Sequence, residues 1–313
     1  MNRFSVSRRR ALAGLAAAAV LATAAPAATA SVPRAAAPDA AGTGSDAGTV
    51  TLTVRHLDRA GRPTAGYETT VTGLTGAGAE TSVRPYDADG TTTVRLPRGR
   101  YVLDSALTTA AGTDWIVQPR LDLDRDTTVT VDARTARPVD VRPPDAAARF
   151  QHGGMFLTVS HGGAERFLNR IEARPDLRVA HLGPAAEPGS VKQWYDAYWT
   201  SPGTGVDYAL GHTVTGGRAL TGLTKQPAPK DLATLRIRTT RPGTVDLQPS
   251  AGPTVGVSRA LTPAAPATYR VTPDRGTYDV SYAADGGRRE NADGLALRPG
   301  GTTTLSFPGG ATR

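Results

Sequence analysis

The sequence predicts an all-β protein built from two or three tandem antiparallel β-sandwich modules. Three observations lead to this prediction. Short runs of alternating apolar and polar residues recur along the chain, turn signals rich in Gly, Pro and Asp separate them, and helix signals are nearly absent. Short strands at this spacing are typical of sandwiches.

The clearest of these runs covers residues 87–103. Asp89-Gly90 favours the positive φ angles of a tight hairpin turn. Residues 91–96 then alternate so that one face of the strand is apolar. A Pro-Arg-Gly turn at 97–99 leads into the next alternating strand. We therefore expect a hairpin turn, a strand, a second turn and a further strand.

The first thirty residues are predicted to be a cleaved signal peptide. Residues 3–10 hold four Arg, residues 11–22 form a short apolar run, and 28–30 fit the small-x-small cleavage pattern. Residues 7–12 also fit the twin-arginine pattern, with the general secretory route as the alternative. A flexible linker is expected at 31–48. We expect a secreted bacterial protein without an integral membrane anchor.

Composition and charge exclude several classes of protein. The chain has no Cys, which excludes disulfides, thiolate metal sites and thiol nucleophiles. Its formal net charge of +8 falls by four when the predicted signal peptide is removed. Its Arg residues are spread evenly, whereas a nucleic-acid-binding protein concentrates them on one face. Nucleic-acid binding is therefore not expected.

Two proline-rich breaks divide the chain, because Pro fixes its own φ and restrains its neighbour. Pro143-Pro144 forms the first break and residues 226–229 form the second. Whether the middle region is its own domain or joins the C-terminal sandwich is left open, as is a helix or a strand at 164–173. The predicted regions are a first sandwich at 49–142, a β-rich middle region at 143–230 and a C-terminal sandwich at 231–313.

A Gly-Arg-Pro turn at 61–63, the Asp-Gly turn and a Leu-Pro-Arg-Gly-Arg-Tyr run at 96–101 follow one another in the first sandwich. Their order resembles the carboxypeptidase regulatory-like, transthyretin-type sandwich. Residues 49–144 as a whole resemble the accessory region that follows the catalytic domain in secreted bacterial subtilisin-like serine peptidases. The resemblance implies Ig-like or transthyretin-like modules with a role in stability, spacing or binding.

Peptidase activity is not implied, and no catalytic residue is expected. The family's Gly-Thr-Ser nucleophile context is absent, and its His-Gly-Thr is replaced by His-Gly-Gly at His152 and His161. Ser160 and His161 are neighbours, but neighbours in a strand point to opposite faces. An undescribed hydrolase that uses Ser160 with His161 or His212 stays open as a further hypothesis.

No cofactor or metal site is expected. The five His form neither His-x-His nor His-Glu-x-x-His. Asp122, Asp124 and Asp126 would share one face of a strand, where a loop that added carbonyl oxygens would complete a calcium site. A solvated outer face is the preferred interpretation.

An aromatic cluster is the strongest functional signal: Trp194, Tyr195, Tyr198, Trp199 and Tyr208. In an extended strand Trp194 and Tyr198 share one face, and Tyr195 and Trp199 share the other. A sandwich strand commonly buries one face only, which would leave an aromatic pair to stack on sugar rings. The alternative is that a bulge, a helical turn or a neighbouring module buries both faces.

These observations predict a secreted, non-catalytic binding or accessory module for extracellular polysaccharide or cell wall. Trp194, Tyr198 and Trp199 would carry the stacking. The alternative is an accessory or inhibitory partner of a secreted subtilisin-like serine peptidase, or a relative of one that lacks the catalytic domain.

Overall fold

A computed structural model describes residues 48–285, 287 and 289–308, and the backbone of 310–312. This part of the chain is mostly β-strand, with one-turn 3-10 helices at Ala133–Thr135, Pro229–Asp231 and Pro273–Arg275, so the predicted all-β class is confirmed. Within it, no helix has the length and apolar character to span a membrane. The predicted signal peptide, and the predicted linker apart from residue 48, lie outside the described residues.

The strands are numbered in chain order: β1 (Thr49–Leu57), β2 (Tyr67–Gly76), β3 (Ser82–Val83), β4 (Thr91–Pro97), β5 (Gly99–Thr109), β6 (Gly112–Leu123), β7 (Thr127–Asp132), β8 (Arg137–Val141), β9 (Arg149–His161), β10 (Ala164–Glu172), β11 (Arg178–His181), β12 (Val191–Ser201), β13 (Val206–Gly216), β14 (Leu223–Lys225), β15 (Ala233–Thr239), β16 (Gly243–Pro249), β17 (Val257–Leu261), β18 (Ala267–Val271), β19 (Thr277–Ala284), β20 (Arg289–Ala296), β21 (Thr302–Phe307) and β22 (Gly310–Thr312).

These strands form four sheets. The first sheet has the order β4-β1-β7, and the second, seven-stranded sheet has the order β14-β8-β11-β6-β5-β2-β3. The third sheet has eight strands in the order β10-β9-β12-β13-β18-β15-β21-β22, and the fourth has the order β17-β16-β19-β20. Most neighbouring strands are antiparallel, but the pairs β1–β7, β6–β11, β8–β14, β13–β18 and β15–β21 are parallel.

Three hydrophobic cores lie between successive sheets. The first core joins the first and second sheets, the second core joins the second and third, and the third core joins the third and fourth. The second sheet therefore has a core on each face: in β5, Leu103 lies in the first core and Val102 in the second. Because side chains on both faces of the sheet are buried, the buried residues of β5 and β6 form nearly continuous runs.

The alternation of inward-facing and outward-facing residues predicted from the sequence is confirmed at residues 91–96. Thr92 and Leu96 are buried against the first core, and Thr93 and Arg95 are exposed. The segment at 164–173, left open between helix and strand, forms β10.

The prediction of a hairpin turn at Asp89-Gly90 is wrong. Gly90 does have a positive φ of 85°, but β3 pairs with β2 in the second sheet, whereas β4 pairs with β1 in the first. The turn carries the chain from one sheet to the facing one. A Cβ on Gly90 would lie 2.8 Å from the Thr64 nitrogen, so close backbone approach also requires glycine here.

Two sheets cross the predicted region boundaries. From the middle region, β11 and β14 join the second sheet, where they pair with β6 and β8. From the same region, β13 pairs in parallel with β18, so the third sheet continues into the C-terminal region. The middle region thus shares a sheet with each of its neighbours.

Candidate functional site

The aromatic cluster is divided between the two faces of β12. Tyr195 is buried in the second core, and Trp199 packs against the same core. Tyr198, three residues after Tyr195, is buried in the third core. Tyr208, opposite Trp199 on β13, is buried in the second core. The predicted sharing of a face by Tyr195 and Trp199 is therefore confirmed.

The predicted exposed stacking platform is wrong, because the third sheet lies between the second and fourth sheets. Tyr198 is 3% exposed, and its hydroxyl donates to the Val255 carbonyl at 2.8 Å. Trp194 is half-buried, and the loop at Gly252 lies against its indole. Tyr195 and Tyr208 are also buried. Neighbouring sheets therefore cover both faces of the strand at Tyr195 and Tyr198, which was the alternative left open by the sequence, and leave Trp194 and Trp199 half-buried.

Tyr195 and Trp199 nevertheless line a pocket of about 320 Å³. We call it the junction pocket, because the two proline-rich breaks meet there beside β12. Its polar lining comes from residues close to those breaks. The charged, amide and aromatic side chains that line it are those of Asp140, Arg142, Asp145, Tyr195, Trp199 and Gln226.

Trp199 forms the accessible part of the aromatic wall. It is half-buried, and it packs edge-to-face on Phe150 with ring centroids 5.1 Å apart and an interplanar angle of 77°. Its Nε1 is buried and has no acceptor among the described residues. A ring packed in this way is fixed before any ligand arrives, which lowers the entropic cost of binding.

The lining of the junction pocket includes both hydrogen-bond acceptors and donors. Asp140 and Arg142 form an ion pair at the end of β8. Asp145 accepts hydrogen bonds from the Ser201 hydroxyl and from the Ala147 amide. These two hydrogen bonds, of which the one from Ser201 has the larger effect, hold the pKa of Asp145 below its usual value. This carboxylate is therefore a hydrogen-bond acceptor at neutral pH.

Ser160 and His161 have separate partners, as the alternation of strand residues predicts. The Ser160 hydroxyl donates to Glu165 at 3.3 Å. The Nδ1 of His161 lies 2.8 Å from a guanidinium nitrogen of Arg100 and 3.3 Å from a carboxylate oxygen of Glu187. His212 lies on β13, with its Nδ1 3.6 Å from a carboxylate oxygen of Asp274.

The carboxylates of Asp122 and Asp126, two of the three alternating aspartates, are engaged by protein groups. Asp122 lies 2.7 Å from both Arg100 and Arg120; burial raises the pKa of Asp122, but hydrogen bonds from these two guanidinium groups outweigh it and hold the pKa low. Asp126 accepts from the Thr51 amide at 2.8 Å. Across residues whose placement is described, no group of three or more His, Cys, Asp or Glu is arranged to hold a metal ion.

No protein-family model and no curated protein matches the sequence. Among solved structures, the chain is similar to the Bacillus anthracis TIE protein at 11% identity and a TM-score of 0.21, over 85% of this chain and 51% of that one, so it spans about half of that structure. It is similar to a DUF3823 family protein from Parabacteroides merdae at 10% identity and a TM-score of 0.21, over 56% and 100% of the two chains. It is also similar to BcpA, the major pilin subunit of Bacillus cereus, at 11% identity and a TM-score of 0.17, over 83% and 98%. At these TM-scores none of them carries a functional argument.

The polar residues of the junction pocket were missed by the reasoning from sequence. Asp140, Arg142, Asp145 and Gln226 lie at the two proline-rich breaks, which were interpreted only as boundaries. Polar residues on both sides of such breaks were the available signal, because connecting segments that a rigid scaffold positions are common places for binding residues.

Proposed function

We propose that this chain is an extracellular, non-catalytic binding module that takes a sugar unit of a polysaccharide or cell-wall glycan in the junction pocket. One observation carries the proposal: a fixed, half-buried Trp199 ring lines the same pocket as charged and amide side chains. The pocket volume of about 320 Å³ lies at the lower end of the range for small-molecule sites. The extracellular location rests on the predicted signal peptide.

The chemistry of the pocket suits a hydroxylated ring. The apolar C–H face of a pyranose would pack on Trp199, since aromatic rings supply a flat apolar surface with little conformational freedom to lose. Sugar hydroxyls would donate to Asp140 and Asp145 and accept from Arg142 and Gln226. A pocket of this size favours recognition of a chain end or a single projecting unit.

Replacement of Trp199 by alanine is expected to weaken glycan binding roughly thirtyfold, since loss of a central aromatic contact costs about 2 kcal/mol. The measurement is retention of the purified protein on a panel of insoluble glycans and cell-wall preparations, followed by titration with soluble fragments of any glycan that binds. Gln226→Ala removes an exposed amide from the pocket lining and should weaken binding about fivefold, by loss of a hydrogen bond worth about 1 kcal/mol.

The matched control for Trp199→Ala is Tyr86→Ala, which removes an aromatic ring that is 60% exposed and does not line the pocket. It should bind glycan as the unmodified protein does. Circular dichroism and thermal melting check that each variant is folded. Unchanged binding by both Trp199→Ala and Gln226→Ala would reject the site, and retention on none of the glycans would reject the function.

The alternative role, as an accessory or inhibitory partner of a secreted subtilisin-like serine peptidase, stays a prediction. It is tested by adding the purified chain to a secreted subtilisin-like peptidase and measuring both complex formation and the rate of peptide hydrolysis.

A further inference from the structure

Strand β10 lies at one end of the eight-stranded third sheet, where it pairs with β9 on one side only. It is nine residues long, and its odd-numbered residues are exposed. Phe167 is 50% exposed and Ile171 is 58% exposed; with Tyr86 they are the large exposed hydrophobic residues of the described chain. A long edge strand with apolar side chains is a template for pairing with another strand.

The hydrogen bonds around β10 show which of its backbone groups face outward. Glu165 lies opposite Ser160 of β9, but the Ser160 amide donates to the Ser190 carbonyl instead of to β10. The Glu165 carbonyl accepts from the side chain of Arg166 at 2.9 Å. In an antiparallel ladder the amide and carbonyl of one residue point to the same side. The odd-numbered residues of β10 therefore direct their backbone groups away from β9.

The sequence of β10 is complementary to itself in one antiparallel register. With Asn169 opposite Asn169 of a second copy, Phe167 lies opposite Ile171, Arg166 opposite Glu172 and Leu168 opposite Arg170, each pair occurring twice, and the first two of these pairs are complementary. This register also places outward-facing backbone groups opposite one another. Opposite charges and apolar pairs directly across a ladder are both stabilising.

The neighbouring register is unfavourable. A two-fold axis at Leu168 would place Arg166 opposite Arg170 and Phe167 opposite Asn169. It would therefore place like charges directly opposite each other twice, which destabilises a ladder. The choice of register consequently depends on charge complementarity within the strand itself.

We propose that β10 pairs with β10 of a second copy of this chain, antiparallel and centred on Asn169, so that the third sheet continues through a symmetric dimer. An isologous contact of this kind closes on itself, because each copy offers the same strand edge once. The pairing covers Phe167 and Ile171 and gives the outward backbone groups of residues 167, 169 and 171 partners in each copy.

The first test is the mass of the intact protein in solution, measured by sedimentation over a range of concentrations. A dimer fraction that rises with concentration is expected. The double variant Phe167→Lys with Ile171→Lys should raise the dimer dissociation constant at least tenfold, since it places like charges across the ladder. The matched control Tyr86→Lys changes an equally exposed aromatic residue outside β10 and should leave dimerisation unchanged. A monomer at every concentration, or a dimer unaffected by the double variant, would overturn the proposal.

The second test fixes the register, and it uses the absence of Cys from the chain. Asn169→Cys places two thiols directly opposite each other at the two-fold axis, within the Cα separation that a disulfide spans. Mild oxidation should therefore link this variant into a covalent dimer. Phe167→Cys should not crosslink, because its two copies would lie four residues apart along the ladder. Crosslinking through position 167 and not through 169 would overturn the register.

Discussion

Replacement of Arg275 by methionine is expected to lower the free energy of unfolding by about 3–5 kcal/mol, because it leaves a buried carboxylate without its partner. The Arg275 side chain is 1% exposed and that of Asp196 is 3% exposed, with Nε and Oδ1 2.8 Å apart. Burial raises the pKa of Asp196, and Arg275 opposes that rise. Without the guanidinium, Asp196 must be charged in an apolar setting or take up a proton.

This ion pair joins parts of the chain that are far apart in sequence. Asp196 lies at the middle of β12, and Arg275 ends the short helix that precedes β19. Thr254 donates to Asp196 at 2.7 Å, and Arg275 donates to the Pro253 carbonyl at 3.0 Å. A Cβ on Gly211 would overlap the Arg275 side chain, so β13 must carry glycine there. The pair therefore fixes the loop after β16 against the third sheet.

Chemical denaturation measures this effect, with two matched controls. Asp196→Asn combined with Arg275→Met removes both charges and should cost much less than the single change. Arg289→Met breaks an exposed pair with Asp246 and should change stability by about 0.5 kcal/mol or less. If Arg275→Met is as mild as Arg289→Met, the buried pair does not stabilise the fold as described.

Acidification from pH 6.5 to pH 4 should weaken the fold through His56, by about 2 kcal/mol after allowance for solvent screening. His56 is fully buried and stacks on Tyr67; its Nδ1 lies 3.0 Å from the Gly90 carbonyl and its Nε2 lies 2.7 Å from the Thr69 hydroxyl. Burial lowers the pKa of His56 to about 4, against the opposing hydrogen bond to Gly90. The unfolded chain binds the proton near pH 6.5, so stability falls as the pH drops through this window.

Asp104 provides an internal control, because its titration changes the stability of the fold in the opposite direction to that of His56. Burial raises the pKa of Asp104 to about 6, with Arg170 opposing the rise. The folded state therefore binds this proton more readily than the unfolded one, and stability rises as the pH falls from 6 towards 4. Unfolding free energies at pH 7 and pH 4 should show a steeper acid loss in Asp104→Asn and a shallower one in His56→Gln. An unchanged pH dependence in His56→Gln would contradict the assignment to His56.

The sequence predicted strands well because alternation is a local property. Thr92 and Leu96 point inward because residues two apart share a face, and no distant information is needed to see this. Local patterns do not say which sheet a strand joins. That is why the turn at Asp89-Gly90 was interpreted as a hairpin although the strands on its two sides belong to facing sheets.

The candidate site was only partly predictable for the same reason. The aromatic cluster drew attention to β12, and the sharing of a face by Tyr195 and Trp199 followed from strand geometry. Burial of Tyr198 depends on the fourth sheet, whose strands begin more than forty residues later. The junction pocket brings Asp145 and Gln226 together from two separate breaks in the chain, and spacing along the sequence does not reveal such a meeting.

The sharing of interior sheets between cores limits how the chain can be taken apart. Truncation at residue 142 would strip the second core from one face of β5 and β6, and would leave Val102 and Trp115 in contact with water. A fragment of the chain cut at either proline-rich break would therefore expose apolar core surface and be prone to aggregation, and it would not form an independent domain. Fusion partners, tags and crystallisation aids belong on the outermost sheets, where a turn can be altered without opening an interior layer.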